Sequence, residues 1–227
     1  MLTIQGTLPL QLQQVNYTQM PERDKLIKIS RLYANAFADW PWNEYKVCPE
    51  GTYFGRQQAE LTSCTNCSQP LKLAYPEEDT ADYITKELSK AEGTLITFEE
   101  ENGGVLAAGW GYACSAEDLQ AKYNSSEMKE KVVDKIWRTA EKVERVFYLS
   151  EIMVDASVRK QGIATKIAKD LVVKAQFLRL NSVMRTRFDS PMVYIANNMQ
   201  MAQVLSLGED KDNDNRVLFL KYRQDNG

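Results

Sequence analysis

The most restrictive stretch of this sequence is residues 147–175, where an apolar run, a short turn and a glycine-bearing helix start follow one another directly. Phe147-Tyr148-Leu149-Ser150-Glu151-Ile152-Met153-Val154 reads as a strand, and Asp155-Ala156-Ser157-Val158 as a turn. Arg159-Lys160-Gln161-Gly162-Ile163-Ala164 then opens a helix whose buried face carries Ile163, Ile167, Leu171 and Ala175. The first amides of a helix lack partners within it, and the dipole puts about half a positive charge there. Gly162 and Ala164 leave that backbone approachable, and Arg159 and Lys160 add charge, so the unit suits a phosphate group. By itself the pattern also fits a helix start that is small and basic only for packing and solubility.

The flanking segments supply a sheet for this unit. A first strand is expected within 3–15, and a helix over 22–38 with Leu26, Ile29, Leu32 or Tyr33, Ala36 and Phe37 on one face. A short helix at 79–91, acidic at its start, is ended by Gly93. Two apolar runs around Asn102-Gly103 predict an antiparallel hairpin over 94–112. An amphipathic helix is expected at 124–145, with capping-box spacing at Asn124 and Glu127. Ser182–Arg187 reads as a strand, Tyr194–Leu205 as a helix ended by Gly208, and Val217–Tyr222 as a closing strand. The order is that of an α/β sheet domain with mixed strand directions, and 227 residues suit one domain carrying an insertion at 39–76.

The chain has no histidine, which removes Ser-His-Asp and Cys-His nucleophile pairs and HExxH metal sites. A net charge of −3 argues against a general nucleic-acid or anionic-membrane binder, and no apolar stretch reaches the ~18 residues of a membrane span. The first residues lack the charged start and apolar centre of a signal peptide, and four cysteines are too few for a secreted disulfide scaffold. A cytoplasmic protein is therefore expected.

Arg159, Gly162 and Ala164 fill the three constrained positions of a Q/R-x-x-G-x-G/A motif set directly after a Tyr-Leu-x-x-Ile-x-Val-Asp strand. In this the sequence resembles the GNAT-type N-acetyltransferase superfamily, over residues 3–38 and 79–222. The resemblance implies a mixed, mostly antiparallel central sheet with splayed central strands and helices on both faces. It implies acetyl-coenzyme A as co-substrate, lying where the strand at 147–154 splays from that at 182–187, and a small-molecule or peptide amine as acceptor. Backbone groups of Gln161, Gly162, Ile163, Ala164 and Thr165 would hold the diphosphate, assisted by Arg159 and Lys160. Ile152 and Val154 would pair with the pantetheine arm, and an amide near Met153 would polarise the thioester.

Glu151 is the candidate general base, with an ion pair on the sheet as the alternative, since strand parity turns its side chain either way. The position the family gives to a thiolate-protonating tyrosine falls near Val204, which cannot serve; Tyr194 or Tyr148 could substitute, or each could be a core residue. Asn197, with Asn198, is a candidate coenzyme contact or a helix cap. A GNAT-fold module that binds acyl-coenzyme A without catalysis is the alternative function, and a homodimer is left open.

The insertion at 39–76 lies outside the resemblance and has no helical or strand period. Cys48, Cys64 and Cys67 look like a zinc knuckle with one ligand missing, because Gly51 stands where the partner of Cys48 belongs. Glu50, Asp39 or Cys114 would have to complete a zinc site; otherwise the thiols are redox-active or ordinary, and the segment is held by Trp40, Trp42, Tyr53 and Phe54.

Overall fold

A computed structural model describes residues 12–120, 145–206 and 216–223. Its frame is a seven-stranded sheet in the order β1, β5, β6, β7, β8, β10, β9. These strands are Gln13–Tyr17, Thr94–Glu99, Val105–Ser115, Arg145–Val154, Asn181–Arg187, Arg216–Lys221 and Ala202–Ser206 respectively. Every pairing is antiparallel except β7 with β8, so the sheet is mixed and mostly antiparallel, as the resemblance implies.

Successive residues of a strand face opposite sides of the sheet, and among the described residues two helices pack on each side of this one. Leu95, Ala108, Trp110 and Met153 pack with α1 (Arg23–Phe37) and α2 (Glu77–Leu88). Ile96, Ala107, Phe147 and Leu149 pack with α4 (Ile163–Phe177) and α5 (Pro191–Asn198). The remaining helix, α3, is the short Ala116–Gln120. α1 forms because Leu26, Ile29, Tyr33 and Phe37 recur at helical spacing, and all four are buried. α2 begins after Pro76 with Glu77, Glu78 and Asp79 in its first turn, where the dipole favours acids.

The hairpin between β5 and β6 turns at Gly103, whose φ of 77° is left-handed, with Asn102 Oδ1 accepting from the Gly104 amide at 2.7 Å. Within β6, Gly109 lets α4 approach: a Cβ there would sit 2.5 Å from Ile167 Cγ2. The expected helix at 124–145 lies outside the described residues, apart from Arg145, which begins β7.

The first strand, expected within 3–15, is described at Gln13–Tyr17, and the larger difference from the sequence expectation lies at the last helix. The segment expected as a helix over Tyr194–Leu205 divides into α5 and the edge strand β9. Ser190 caps α5, its Oγ accepting from the Met192 amide at 3.2 Å, and Pro191 follows at the first helical position. The helix then ends at a residue other than glycine: Gln200 adopts a φ of 57° just beyond it. Asn197 and Asn198 therefore sit in the last turn, not at the helix start, and cap nothing at the N-terminus. Val204 belongs to a strand.

The insertion joins α1 to α2 and holds a small three-stranded sheet, with β2 (Lys46–Val47) between β3 (Tyr53–Phe54) and β4 (Lys72–Leu73). Among the described residues no helix is long and apolar enough to cross a membrane.

Candidate active site

β7 and β8 are paired only from Val146 and Asn181 to Leu149 and Met184. Beyond that point β7 continues to Val154 along β6, while β8 continues to Arg187 along β10. The sheet is thus open between residues 150–154 and residues 185–187. The parting coincides with a bulge: Leu149 pairs with Gly111 and Glu151 with Trp110, leaving Ser150 as an extra residue that bends β7.

The antiparallel ladder fixes which backbone groups face the opening. Asp155 donates its amide to Leu106 across the β6 edge at 2.8 Å. Because such bonds alternate along a strand, Met153 also faces β6, and Ile152 and Val154 turn their amides and carbonyls toward the gap. Arg159 bears this out by reaching back to donate from Nε to the Val154 carbonyl at 3.1 Å. On the facing strand, Thr186 is 2% exposed and its hydroxyl has no hydrogen-bond partner among the described residues. It pairs with Val217, a residue packed on the α4–α5 side, so the hydroxyl lies on that side of the sheet.

The turn after β7 ends next to this gap. Ala156–Val158 form one 3-10 turn, capped by Asp155 Oδ1, which accepts from the Ser157 amide at 2.9 Å. Hydrogen bonds from Ser157 hold the Asp155 carboxyl below its ordinary value. Lys160 and Gly162 then take left-handed φ values of 63° and 80°, and the first helical bond of α4 runs from the Lys166 amide to the Gly162 carbonyl at 2.9 Å. Among the described residues the amides of 161–165 make no backbone hydrogen bond. Alternating left- and right-handed residues of this kind make a concave anion nest. Gly162 is required by its φ, and a Cβ there would meet nothing within 4 Å, so the nest is open at the place a ligand would take. Arg159, Lys160 and Gln161 are exposed around it, Ile163 is buried, and Ala164 and Thr165 are half-buried.

On the α1–α2 side of the opening the bulge turns both Ser150 and Glu151 toward α2. Ser150 Oγ donates to Glu87 Oε2 at 2.6 Å, and the Tyr83 hydroxyl lies 3.5 Å from Glu151 Oε1. Tyr33 packs edge-on to Tyr75 at 4.9 Å and to Tyr83 at 6.2 Å. These three tyrosines line a cavity of about 390 Å³ between α1, α2 and the end of the insertion. Tyr75 in turn donates to Glu44 of the insertion. Burial, then the charge of Glu151, raises the Tyr83 phenol well above its ordinary value, so it stays protonated and acts as a donor. Arg216 lies 5.2 Å over the Trp42 ring, with Glu44, Glu151 and Tyr148 in its electrostatic surroundings.

Of the sequence candidates, the structure gathers Ile152, Val154 and residues 159–165 around one gap and places Glu151 beside it. Tyr194 stands apart: it is 71% exposed on α5, across the sheet from Glu151. Asn197 is exposed on the same helix. Tyr148 is buried, which pushes its phenol up to about 12. Glu44, Tyr75, Tyr83 and Thr186 carry no motif, and sequence reasoning passed over them. In the insertion, the sulfurs of Cys48, Cys64 and Cys67 all lie within 4.8 Å of one another. Asp39 instead pairs with Arg56, Cys114 is buried in the sheet core, and Glu50 is exposed outside the cluster.

No family model matches the sequence, and no curated protein matches it. Solved structures do match the fold. One, described as histone acetyltransferase HPA2 and related acetyltransferase from Corynebacterium glutamicum, aligns with TM-score 0.57 at 13% identity, over 94% of this chain and 97% of that one. A GNAT superfamily phosphinothricin acetyltransferase from Sinorhizobium meliloti, in complex with acetyl-coenzyme A, aligns with TM-score 0.52 at 10% identity, over 92% and 87%. A polyamine N-acetyltransferase from Drosophila melanogaster aligns with TM-score 0.53 at 8% identity, over 92% and 100%.

Proposed function

This chain has the GNAT acetyltransferase fold, and from that premise we propose that it transfers an acetyl group from acetyl-coenzyme A to a primary amine. The observation that carries the reading is the parting of β7 from β8 beside a run of unpaired amides. An extended, amide-bearing arm ending in a diphosphate needs these two features side by side. The open edge at Ile152 and Val154 offers the arm a strand to pair with, the Thr186 hydroxyl is an unmatched group in the facing wall, and amides 161–165 receive the diphosphate.

In this reading the chemistry runs by direct transfer. Glu151 takes the proton that the acceptor ammonium must lose before its nitrogen attacks the thioester carbon. An amide on the open edge of β7 donates to the carbonyl oxygen as charge develops there. Since the Met153 amide faces β6, that role falls to Ile152 or Val154. The carbon–nitrogen bond forms, the carbon–sulfur bond breaks, and the thiolate leaves to be protonated from solvent, with Tyr194 left exposed on α5.

The acceptor enters from the side of Tyr33, Tyr75 and Tyr83, where Glu44 and Glu151 attract a cationic amine. The test is release of free thiol from acetyl-coenzyme A across amino acids, polyamines, aminoglycosides and peptides. Acceptor-dependent release supports the enzyme. Thermal stabilisation by acetyl-coenzyme A with no release on any amine supports a binding module instead, and the absence of both effects overturns the proposal.

A further inference from the structure

We propose that Cys48, Cys64 and Cys67 bind one zinc ion through three thiolates, with a solvent oxygen in the fourth position. Several observations converge on this. The three sulfurs lie within 4.8 Å of one another, in the range of the about 3.8 Å spacing that tetrahedral zinc with bonds of about 2.3 Å needs. All three are free thiols, and Cys48 and Cys64 are 2% and 3% exposed.

Backbone amides already point at the sulfurs: Thr52 donates to Cys48 Sγ and Asn66 to Cys64 Sγ, each at 3.4 Å. Such bonds orient thiolates and offset their charge when a metal is bound. Both chain segments also turn sharply beside their cysteines. The Gly51 amide donates to the Cys48 carbonyl three residues back and the Ser68 amide to the Cys64 carbonyl four residues back, both at 2.9 Å, with left-handed φ values of 81° at Gly51 and 58° at Ser68. Gly51 stands three residues after Cys48, where Cys67 stands three after Cys64, so the first turn supplies one sulfur and the second two.

The insertion also needs such a centre. Its own buried cluster is Cys48, Phe54 and Cys64, with Leu61, Cys67 and Leu71 partly buried around it. Trp42 and Tyr75 anchor its two ends on the α1–α2 side of the main core, but the middle rests on this small cluster alone, and small modules commonly rely on a metal. No other Cys, Asp or Glu among the described residues reaches the three sulfurs, which leaves the fourth ligand to solvent.

The same insertion supplies Tyr75 to the cavity lined by Tyr33 and Tyr83, with Glu44 accepting from Tyr75 and Trp42 packed on the α1–α2 side of the core. Zinc would therefore set the acceptor side of the site and leave the coenzyme side alone; this consequence rests on the acetyltransferase reading, whereas the metal site does not.

The test is metal analysis of the full chain, purified without a metal-affinity step. About one equivalent of zinc is expected, and the cobalt(II)-substituted protein should show thiolate-to-metal charge transfer with tetrahedral ligand-field bands. Cys64→Ser should fall below a tenth of an equivalent, while Cys114→Ser keeps its metal. Less than a tenth of an equivalent in the unaltered chain, absence of the cobalt charge-transfer band, or full zinc in Cys64→Ser would each overturn the proposal. Chelation is expected to raise the acceptor KM several-fold without changing stabilisation by acetyl-coenzyme A.

Discussion

At position 150 the ladder between β7 and β6 carries one residue too many, and that residue decides where Glu151 points. Strand parity read from the sequence left the two faces equal. The bulge turns Ser150 and Glu151 to the same side, toward Glu87 and Tyr83. If Glu151 is the base, Glu151→Gln should lower kcat by roughly 10²–10⁴-fold, the usual range for general base catalysis, while leaving acetyl-coenzyme A binding unchanged. Equal loss of coenzyme binding would make the residue structural.

Glu99 shows a different use of a buried carboxylate. Burial opposes its charge, but Lys25, Thr97 and Tyr17 donate hydrogen bonds to it, and the net effect lowers its pKa. A lowered carboxyl pKa gives stability that is present above the unfolded value of about 4.3 and lost as pH falls through the folded value. Chemical denaturation of Glu99→Gln should therefore show a flatter loss of stability below about pH 4 than the unaltered chain. An unchanged acid limb would mean that other carboxylates carry it.

The elements divide by how local their causes are. The strand, turn and helix over 145–177 and the hairpin over 94–115 could be read from the sequence because turn glycines, caps and apolar spacing specify them within a few residues. Gly162 is the sharpest case. Its left-handed φ is what begins α4, and that requirement is strictly local. Gly162→Val should cost about 1–2 kcal/mol of stability from the backbone conformation. It should also abolish stabilisation by acetyl-coenzyme A, as read by thermal denaturation with and without the ligand. Retained stabilisation would argue against the nest. The boundary between α5 and β9 was not legible: Gln200 ends the helix without a glycine, and Ile195, Ala196 and Met199 keep helical spacing up to that point. What makes the next residues a strand is pairing with β10, a contact no local signal contains.

At the scale of the whole molecule the candidate site is a meeting of distant segments. The family resemblance could point to a coenzyme side because the residues proposed to grip a diphosphate are consecutive. The acceptor side escaped sequence reading for the opposite reason. Glu44 and Tyr75 come from the insertion, Tyr83 from α2, Glu151 from β7 and Arg216 from β10, and only the folded sheet brings them near one another. The sheet does so by opening where its one parallel pair ends: α1, α2 and the insertion cover one side of that opening, while α4 begins on the other. Coenzyme and acceptor can then approach a single gap from opposite faces.

In the proposed enzyme acetyl-coenzyme A lies in this gap with its diphosphate on the amides of 161–165. Hydrogen–deuterium exchange with and without acetyl-coenzyme A tests it most directly. Peptides covering 150–155 and 159–166 should become protected on addition of the ligand, while the cysteine turns at 48–51 and 64–68 should not change. Protection confined to other segments, or none at saturating ligand, would contradict the account.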